Sequence, residues 1–345
     1  MNADSDYADS DNAISTRRIV AGIDEAGYGP KLGPLVIGCA VFSVPKTSGH
    51  ELDLAPDLWD LLKPTVVRAN GKADTSRIPI DDSKKLKLAN TSPKPLMHLE
   101  RGVLPALGLL DRTPQTDLEL LEALGVVNRL LHTDDSAPAL PASTALTPDQ
   151  IAISANALRR AMHNADIQLL GLTCMAFSAH RFNSALLEYG PKSAVSFSAV
   201  GRFIRGVWRR WGSDAPLVVV DRQGGRRRYG KELARAIPDV VVTPKQEEDA
   251  VSAYEIDSTA KSSERRRMRI RFEVNADERN LPVALASMAA KLCRERAMIR
   301  FNNHWSKRAP SVKPTAGYGV DARRWIEEMR PLIAQDELIQ LVRRA

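Results

Sequence analysis

Two adjacent acids, Asp24 and Glu25, close a short β-branched stretch and lead into Ala26-Gly27-Tyr28-Gly29-Pro30. Neighbouring residues inside a strand point to opposite faces. These carboxylates therefore converge only if the chain bends there, which the glycines permit. A third acid, Asp221, ends a second apolar stretch, Leu217 to Asp221, with Gly224 and Gly225 close behind. A single strand-end aspartate is usually a turn or cap residue. Two such ends, one carrying a double acid, ask for more, because buried carboxylates are costly unless paired or bound to cations. Strand ends are also where ligands sit in open α/β sheets. Three or four carboxylates at one point suit Mg²⁺ or Mn²⁺, hard cations that take oxygen ligands. Two such ions roughly 4 Å apart would stabilise both the entering and the leaving oxygen of a phosphodiester displacement.

Ser287, Lys291 and Glu295 lie four apart and share one face of an expected long helix, Leu281 to Trp305. Ala284, Ala286, Ala289 and Ala290 suit close packing against a sheet, which would turn this face inward. Arg226 to Arg228 follow Asp221 within a few residues and are expected to contact phosphate. Arg265 to Arg267, with Arg269 and Arg271, form a second cluster of open role. Trp208, Trp211, Trp305 and Trp325 fall on expected helices and read as packing residues. His180 and the other histidines show no ligand spacing. Cys39, Cys174 and Cys293 are scattered, with no C-x-x-C pair, so buried thiols are expected rather than a zinc site or disulfide framework.

The elements that must position these residues can be read from periodicity and punctuation. Strands are expected over residues 18–24, 35–44, 169–177, 216–221, 240–243 and 269–274. Helices are expected over 116–132, after the Thr147-Pro148 start signal, over 196–211, over 281–305, and twice more before the end. Residues 45–114, rich in Pro, Lys and Asp, are expected to be largely loop, and 134–147 a Pro/Ala/Ser linker. The expected fold class is α/β, a mixed sheet flanked by helices. The expected organisation is an acidic disordered tail over 1–16, an α/β domain over 17–310, and a C-terminal helical segment over 311–345.

No apolar run approaches the roughly 18 residues that a membrane-spanning helix needs. The net charge of +7 suits a polyanionic partner. The first sixteen residues carry Asp4, Asp6, Asp9 and Asp11 and no Lys or Arg. That is unlike a signal or transit peptide, so a cytoplasmic protein is expected, with monomer as the default.

Several blocks carry a family resemblance. Gly22 to Pro30 (GIDEAGYGP), followed by Gly33-Pro34, resembles the opening motif of type 2 ribonucleases H. Asp82-Ser-Lys-Lys-Leu86 resembles the family's second block, and Val220-Asp221 falls where its third acid is expected. Asp277, Ala286 to Lys291, and Arg294-Glu295 resemble its catalytic helix, and Gly317-Tyr318-Gly319 its final block. The blocks keep the family's order over about residues 18 to 330, while residues 87–165 match little.

The resemblance implies a ribonuclease H-like fold and a metal-dependent endonuclease. It would cut the RNA strand, or an embedded ribonucleotide, of an RNA–DNA duplex with two Mg²⁺ or Mn²⁺ ions, leaving 5′-phosphate and 3′-hydroxyl ends. It places Asp24, Glu25, Asp221 and Glu295 as catalytic metal ligands. Gly27, Tyr28 and Gly29 would approach the 2′-hydroxyl that tells RNA from DNA, Tyr318 would stack on the neighbouring sugar, and Lys84, Lys85 and Lys291 would contact phosphate or the site. The sequence departs from the family pattern at four points: Glu295 stands for Asp, Tyr28 for Arg, and Val320 and Cys293 for Thr. An arginine fork can hold a phosphate and tyrosine cannot, which leaves open the choice between a single ribonucleotide and a long hybrid. The competing readings are a nucleic-acid-binding protein of the same fold with weakened turnover, and a metal-dependent DNA endonuclease.

Overall fold

The centre of the molecule is a pair of neighbouring strands buried on both faces. Along β2 (Leu35–Pro45), Val36, Ala40, Phe42 and Val44 face one apolar cluster, and Leu35, Ile37, Cys39 and Val41 face another. β1 (Arg17–Ala26) alternates in the same way, with Val20 toward the first cluster and Ile19, Ala21 and Ile23 toward the second. A strand that is apolar at every position signals helices on both sides of the sheet. The computed structural model describes residues 17–46, 55–126, 138–259 and 265–344. The acidic tail and the end of the helix expected over 116–132 lie outside the described residues.

The remaining strands are β3 (Val66–Val67), β4 (Ile78–Pro79), β5 (Gln168–Phe177), β6 (Leu217–Asp221), β7 (Val240–Glu247), β8 (Val251–Ser258) and β9 (Arg267–Glu273). The helices are α1 (Leu58–Leu61), α2 (Ser83–Leu86), α3 (Met97–Gly108), α4 (Asp117–Ala123), α5 (Pro148–Asn164), α6 (Ala179–Tyr189), α7 (Lys192–Trp211), α8 (Gly230–Ala236), α9 (Leu281–Arg308), α10 (Gly319–Met329) and α11 (Gln335–Leu341). Seven strands form one mixed sheet in the order β5-β2-β1-β6-β9-β8-β7. The β1–β6 and β6–β9 pairs are parallel and the others antiparallel. The expected α/β class, a mixed sheet between helices, is the observed one.

Helix α9 crosses one face of this sheet at very short range. A Cβ on Gly22 would stand 2.2 Å from the backbone of Pro282 and Val283, and one on Gly38 would stand 2.2 Å from the Ala286 carbonyl oxygen. Helix backbone therefore rests on strand backbone, which is why the helix is alanine-rich where it meets the sheet. On the other face α7 packs Val195, Ala199, Val200 and Ile204 against Ile23, Val218 and Val220. The end of α9 meets α10 and α11 in a separate apolar cluster around Trp305, Trp325 and Met329. Trp208, Trp305 and Trp325 are buried, as expected of packing residues. The three cysteines are buried free thiols.

The stretch expected to be mostly loop contains a buried helix, α3. Pro105 and the Glu100-Arg101 pair interrupt its apolar pattern, so its helicity is fixed by tertiary partners. Glu100, fully buried, accepts from Arg296 at 2.6 Å and from the Ser143 hydroxyl at 2.6 Å. One turn further along α9, Arg300 pairs with the buried Asp117 at 3.0 Å. Two buried ion pairs thus bind α3 and α4 to the outer face of α9. Opposite α3, helix α5 starts at a Thr147–Gln150 capping box with Pro148 in its first turn, matching its start signal. The strand β8 and the helices α6 and α8 were not expected, and α7 begins at Lys192 rather than Ser196.

Removing one member of a buried ion pair leaves an uncompensated charge, which costs about 3–5 kcal/mol. Glu100→Ala is therefore expected to lower unfolding free energy by that amount in urea titration. Exchanging Glu100 and Arg296 together for apolar residues of similar volume should recover much of the loss.

Candidate active site

Strand β1 continues through Ala26, and the turn begins only at Gly27, with φ +84°. Asp24 and Glu25 therefore remain on opposite faces, and no bend between them brings them together. Their convergence comes from the end of the neighbouring parallel strand. The β1–β6 register ends at Ile23 opposite Val220, which sets Asp221 beside Asp24. Asp24 faces α9, where the Ser287 hydroxyl bonds to it and lies 3.0 Å from Ser83 Oγ. Glu25 reaches around from the other face and accepts from Gln223 Nε2 at 3.3 Å, which Ser196 Oγ holds at 2.7 Å.

A fourth carboxylate joins them from a turn just before α9. Asp221 accepts from the Ala276 amide at 2.8 Å, and this bond draws the 3₁₀ turn Ala276–Glu278 to the strand end. Asp277 in that turn is buried and interacts with Asp221, Asp82 and Asp24. Asp82 caps α2 through the Lys84 amide at 2.8 Å, so the second sequence block stands at the same place.

Crowding of acids shows in their protonation. Burial, then Asp221 and Glu25, push Asp24 well above its usual range. Burial and Asp221 raise Glu25 to about 7, against a weaker opposing pull from Gln223 and Lys84. Burial also raises Asp221, and burial with Asp82 and Asp221 raises Asp277 to about 6. Lys84 is the cation facing this group. Burial opposes its charge, yet Asp82, Asp277, Asp24 and Asp221 together hold it above its ordinary value.

Glu295 is not part of this cluster, contrary to its expected place as the fourth ligand. It stands two helical turns beyond Ser287, about 12 Å along α9. There it is taken up by cations: Lys291 at 3.0 Å, Arg294 at 3.1 Å and Lys87 at 3.9 Å. A carboxylate held by three cations is poorly disposed to take up a metal ion. Asp277 carries a weaker sequence signal because it precedes the helix in a short turn, outside the regular spacing. No local pattern marks Gln223.

The glycine loop is pinned from three sides. The Lys31 and Leu32 amides donate to the Gly317 carbonyl at 2.9 and 3.2 Å, joining the first and last sequence blocks. Gly317, at φ +85°, has no room for a Cβ, which would meet the Leu32 oxygen at 2.6 Å. From the C-terminal segment, the buried Arg343 donates to the Gly27 carbonyl at 2.5 Å and to the Tyr28 carbonyl at 3.1 Å. Beneath the loop, Arg294 donates to the Ala316 carbonyl at 3.0 Å and lies 4.6 Å from the Tyr318 ring centre. Glu295 thus holds the guanidinium that supports Tyr318. Tyr318 is 39% exposed, Lys192 sits 4.5 Å from the Tyr28 ring, and Gly29 faces open space. Lys85 is engaged by Glu278 at 2.6 Å and Lys291 by Glu295.

Each arginine of the expected phosphate-contact cluster at Arg226 to Arg228 has an acidic neighbour within the protein, while Arg227 and Arg228 remain exposed. Arg226 pairs with Glu232, Arg227 with Asp249 at 2.7 Å and Arg228 with Glu247 at 3.6 Å. The second cluster is likewise tied in: Arg267 to Asp257 at 2.9 Å and Arg271 to Glu273 at 2.6 Å.

Among the described residues, no group of three or more His, Cys, Asp or Glu side chains is placed, as it stands, to hold a metal ion. The donor chemistry nevertheless fits a hard cation. Asp24, Glu25, Asp221 and Asp277 offer oxygen ligands only, and their mutual repulsion is what a divalent ion relieves.

No protein-family model and no curated protein matches the chain. Among solved structures, the RNase HII–PCNA complex from Archaeoglobus fulgidus matches at 16% identity and TM-score 0.41, covering 94% of this chain and 94% of that one. Ribonuclease H2 from Pyrococcus horikoshii OT3 matches at 15% identity and TM-score 0.39, covering 94% and 92%. Bst-RNase HIII in complex with Mn²⁺ matches at 11% identity and TM-score 0.38, covering 96% and 67%. These are likenesses in the path of the chain at low identity. No helix among the described residues is long and apolar enough to cross a membrane.

The raised carboxyl groups bind protons more tightly folded than unfolded. Their stabilising contribution is therefore complete below about pH 4, the unfolded carboxylate range. It is lost as pH rises through the folded values near 6 and 7. In chelator, the melting temperature is expected to fall across that window. At neutral pH, Mn²⁺ or Mg²⁺ should raise it by mass action. Asp277→Asn should flatten the fall and reduce the metal-induced rise, whereas Glu295→Gln should leave the rise intact.

Proposed function

We propose that this protein is a divalent-metal-dependent endonuclease of the type 2 ribonuclease H kind, acting on the RNA strand or an embedded ribonucleotide of an RNA–DNA duplex. The observation that carries this reading is the gathering of Asp24, Glu25 and Asp221 at adjacent ends of parallel strands with Asp277 from the turn before α9, and with Lys84 as a facing cation. The order of the sequence blocks supports it, since the first, second and helix blocks meet around that point and the last block is bonded to the first through Gly317.

Each part of the site has work that its chemistry suits. Asp24, Glu25, Asp221 and Asp277 would hold two ions, Mg²⁺ or Mn²⁺. When bound, such ions supply charge stabilisation to both the entering and leaving oxygens of a phosphodiester. Ser287 and Gln223 fix the orientation of Asp24 and Glu25 through hydrogen bonds, the supporting contacts that tune ligands. Lys84 meets the scissile phosphate's charge. The Gly27 to Gly29 backbone, held by Arg343, approaches the ribose, where the 2′-hydroxyl distinguishes RNA from DNA. Tyr318 presents an open ring face to the adjoining sugar. Cleavage leaves 5′-phosphate and 3′-hydroxyl ends.

Three duplexes test the reading with Mg²⁺ or Mn²⁺: one with a single ribonucleotide in DNA, one uniform RNA–DNA hybrid, and one of DNA alone. Cutting of at least one ribose-containing duplex and sparing of DNA is expected. Failure on both ribose-containing substrates would sink the proposal. Asp24→Asn and Asp277→Asn should abolish cutting while duplex binding persists. Glu295→Ala should cost only about 10- to 100-fold, the scale of a supporting contact.

A further inference from the structure

Helix α7 carries Lys192, Arg202, Arg205, Arg209 and Arg210 in twenty residues and not one acid. Arg202, Arg205, Gly206 and Arg209 recur at three- and four-residue intervals, so they share one face, and all four are exposed. Like charges at these spacings weaken a helix, and a solvated helix face ordinarily interleaves acids with bases. Here the acids are missing. Among the described residues, Arg205, Arg209 and the exposed Arg235 of α8 have no acidic partner. Arg202 meets the Tyr189 hydroxyl, which also bonds Glu188. Several arginines on other faces are matched, as in Arg227–Asp249, Arg267–Asp257 and Arg308–Glu337.

Two further features belong to this face. Gly206 lies inside the helix with nothing within 4 Å of where a Cβ would stand. Glycine weakens a helix interior, and no packing contact requires it there. It leaves a flat strip between arginines, where another backbone can come close. Between α7 and α8 the face also opens into a cavity of about 370 Å³, lined by Arg202, Arg205, Arg235 and Ser198. Its acid, Glu232, is already taken by Arg226. No large apolar side chain of α7 is exposed, so the helix offers a protein partner no anchor to bury.

We propose that this arginine face of α7 and α8 is a second nucleic-acid contact, which takes the phosphate backbone of the duplex away from the point of cleavage. The identity of the duplex rests on the proposed function. Guanidinium forks match phosphate oxygens in bidentate geometry. The helix that carries this face begins at the active site, although the arginines stand on its solvent side. Ser196 of α7 holds Gln223 against Glu25, and Arg209 stands about 20 Å further along the same helix. A duplex engaged at the carboxylates and leaning along α7 would meet the arginines in succession.

The test is equilibrium binding of all-DNA duplexes in chelator, with one duplex long and one spanning only the cleavage point. For the Arg205→Gln/Arg209→Gln/Arg235→Gln variant, long-duplex affinity at low salt should fall at least about tenfold. The slope of log affinity against log salt should shrink by about 2–3, near 0.9 for each phosphate left without its arginine. Short-duplex affinity, and cleavage of a short substrate at saturation, should be unchanged. Gly206→Glu should weaken long-duplex binding while the melting temperature holds or rises. An unchanged slope, equal losses on short and long duplexes, or parental binding by Gly206→Glu would each overturn the proposal. So would a variant that loses affinity for polyglutamate but not for DNA, since that assigns the face to an acidic protein. If the parent binds no duplex at all, the proposed function falls as well; if the parent binds and cuts but the slope does not move, only this proposal falls.

Discussion

The seat of α9 on the sheet is the constraint from which the rest follows. At Gly22 and Gly38 the helix backbone lies where any side chain on the strands would have to be. Such contact fixes both the height and the axial position of the helix, because backbone cannot yield as a flexible side chain can. Ser287 is thereby set against Asp24, and the turn before the helix is brought to the end of β6, where Asp221 takes the Ala276 amide. Alanine at the contact and arginine on the outer face are two consequences of the same burial. The outer arginines then require buried acids, and α3 and α4 supply them as Glu100 and Asp117.

The site itself works against the fold. Four acids share a buried strand end, and their protonation is displaced upward by desolvation and mutual repulsion. Rigid backbone contact beneath them is what keeps them together when they ionise. A few steps away the pattern reverses: Lys87, Lys291 and Arg294 surround the single acid Glu295, and Arg294 carries the order outward to the Tyr318 loop. The molecule thus separates an acid-rich centre from a base-rich margin along one helix, as suits binding cations at one point and phosphates beside it.

Much of this was legible in the residues. Short β-branched and apolar runs marked the central strands, and the Thr147-Pro148 signal placed α5 because a capping box is a local device. Asp24, Glu25 and Asp221 could be singled out because an acid ending an apolar strand is conspicuous. What depended on distant partners was harder to read. Helix α3 carries a proline and two charges that distant partners make tolerable, Arg296 for Glu100 and the Lys72, Asp74 and Arg77 carbonyls for Arg101. The resemblance of Arg294-Glu295 to the family's catalytic helix makes Glu295 a candidate ligand, but sharing a helix face with Ser287 says nothing about distance along the axis. Asp277 lay in a short irregular turn whose position depends on one hydrogen bond to Asp221. Arg343 reaches the glycine loop from the opposite end of the sequence, and no local pattern announces that contact.

The central claim is that this helix seat assembles four particular carboxylates to hold divalent ions. It is tested most directly by anomalous scattering from crystals of the protein soaked in Mn²⁺. The account predicts manganese peaks bounded by Asp24, Glu25, Asp221 and Asp277, with Glu295 still bonded to Lys291 and Arg294. Manganese bound at Glu295, or no manganese among the four acids at saturating concentration, would contradict it.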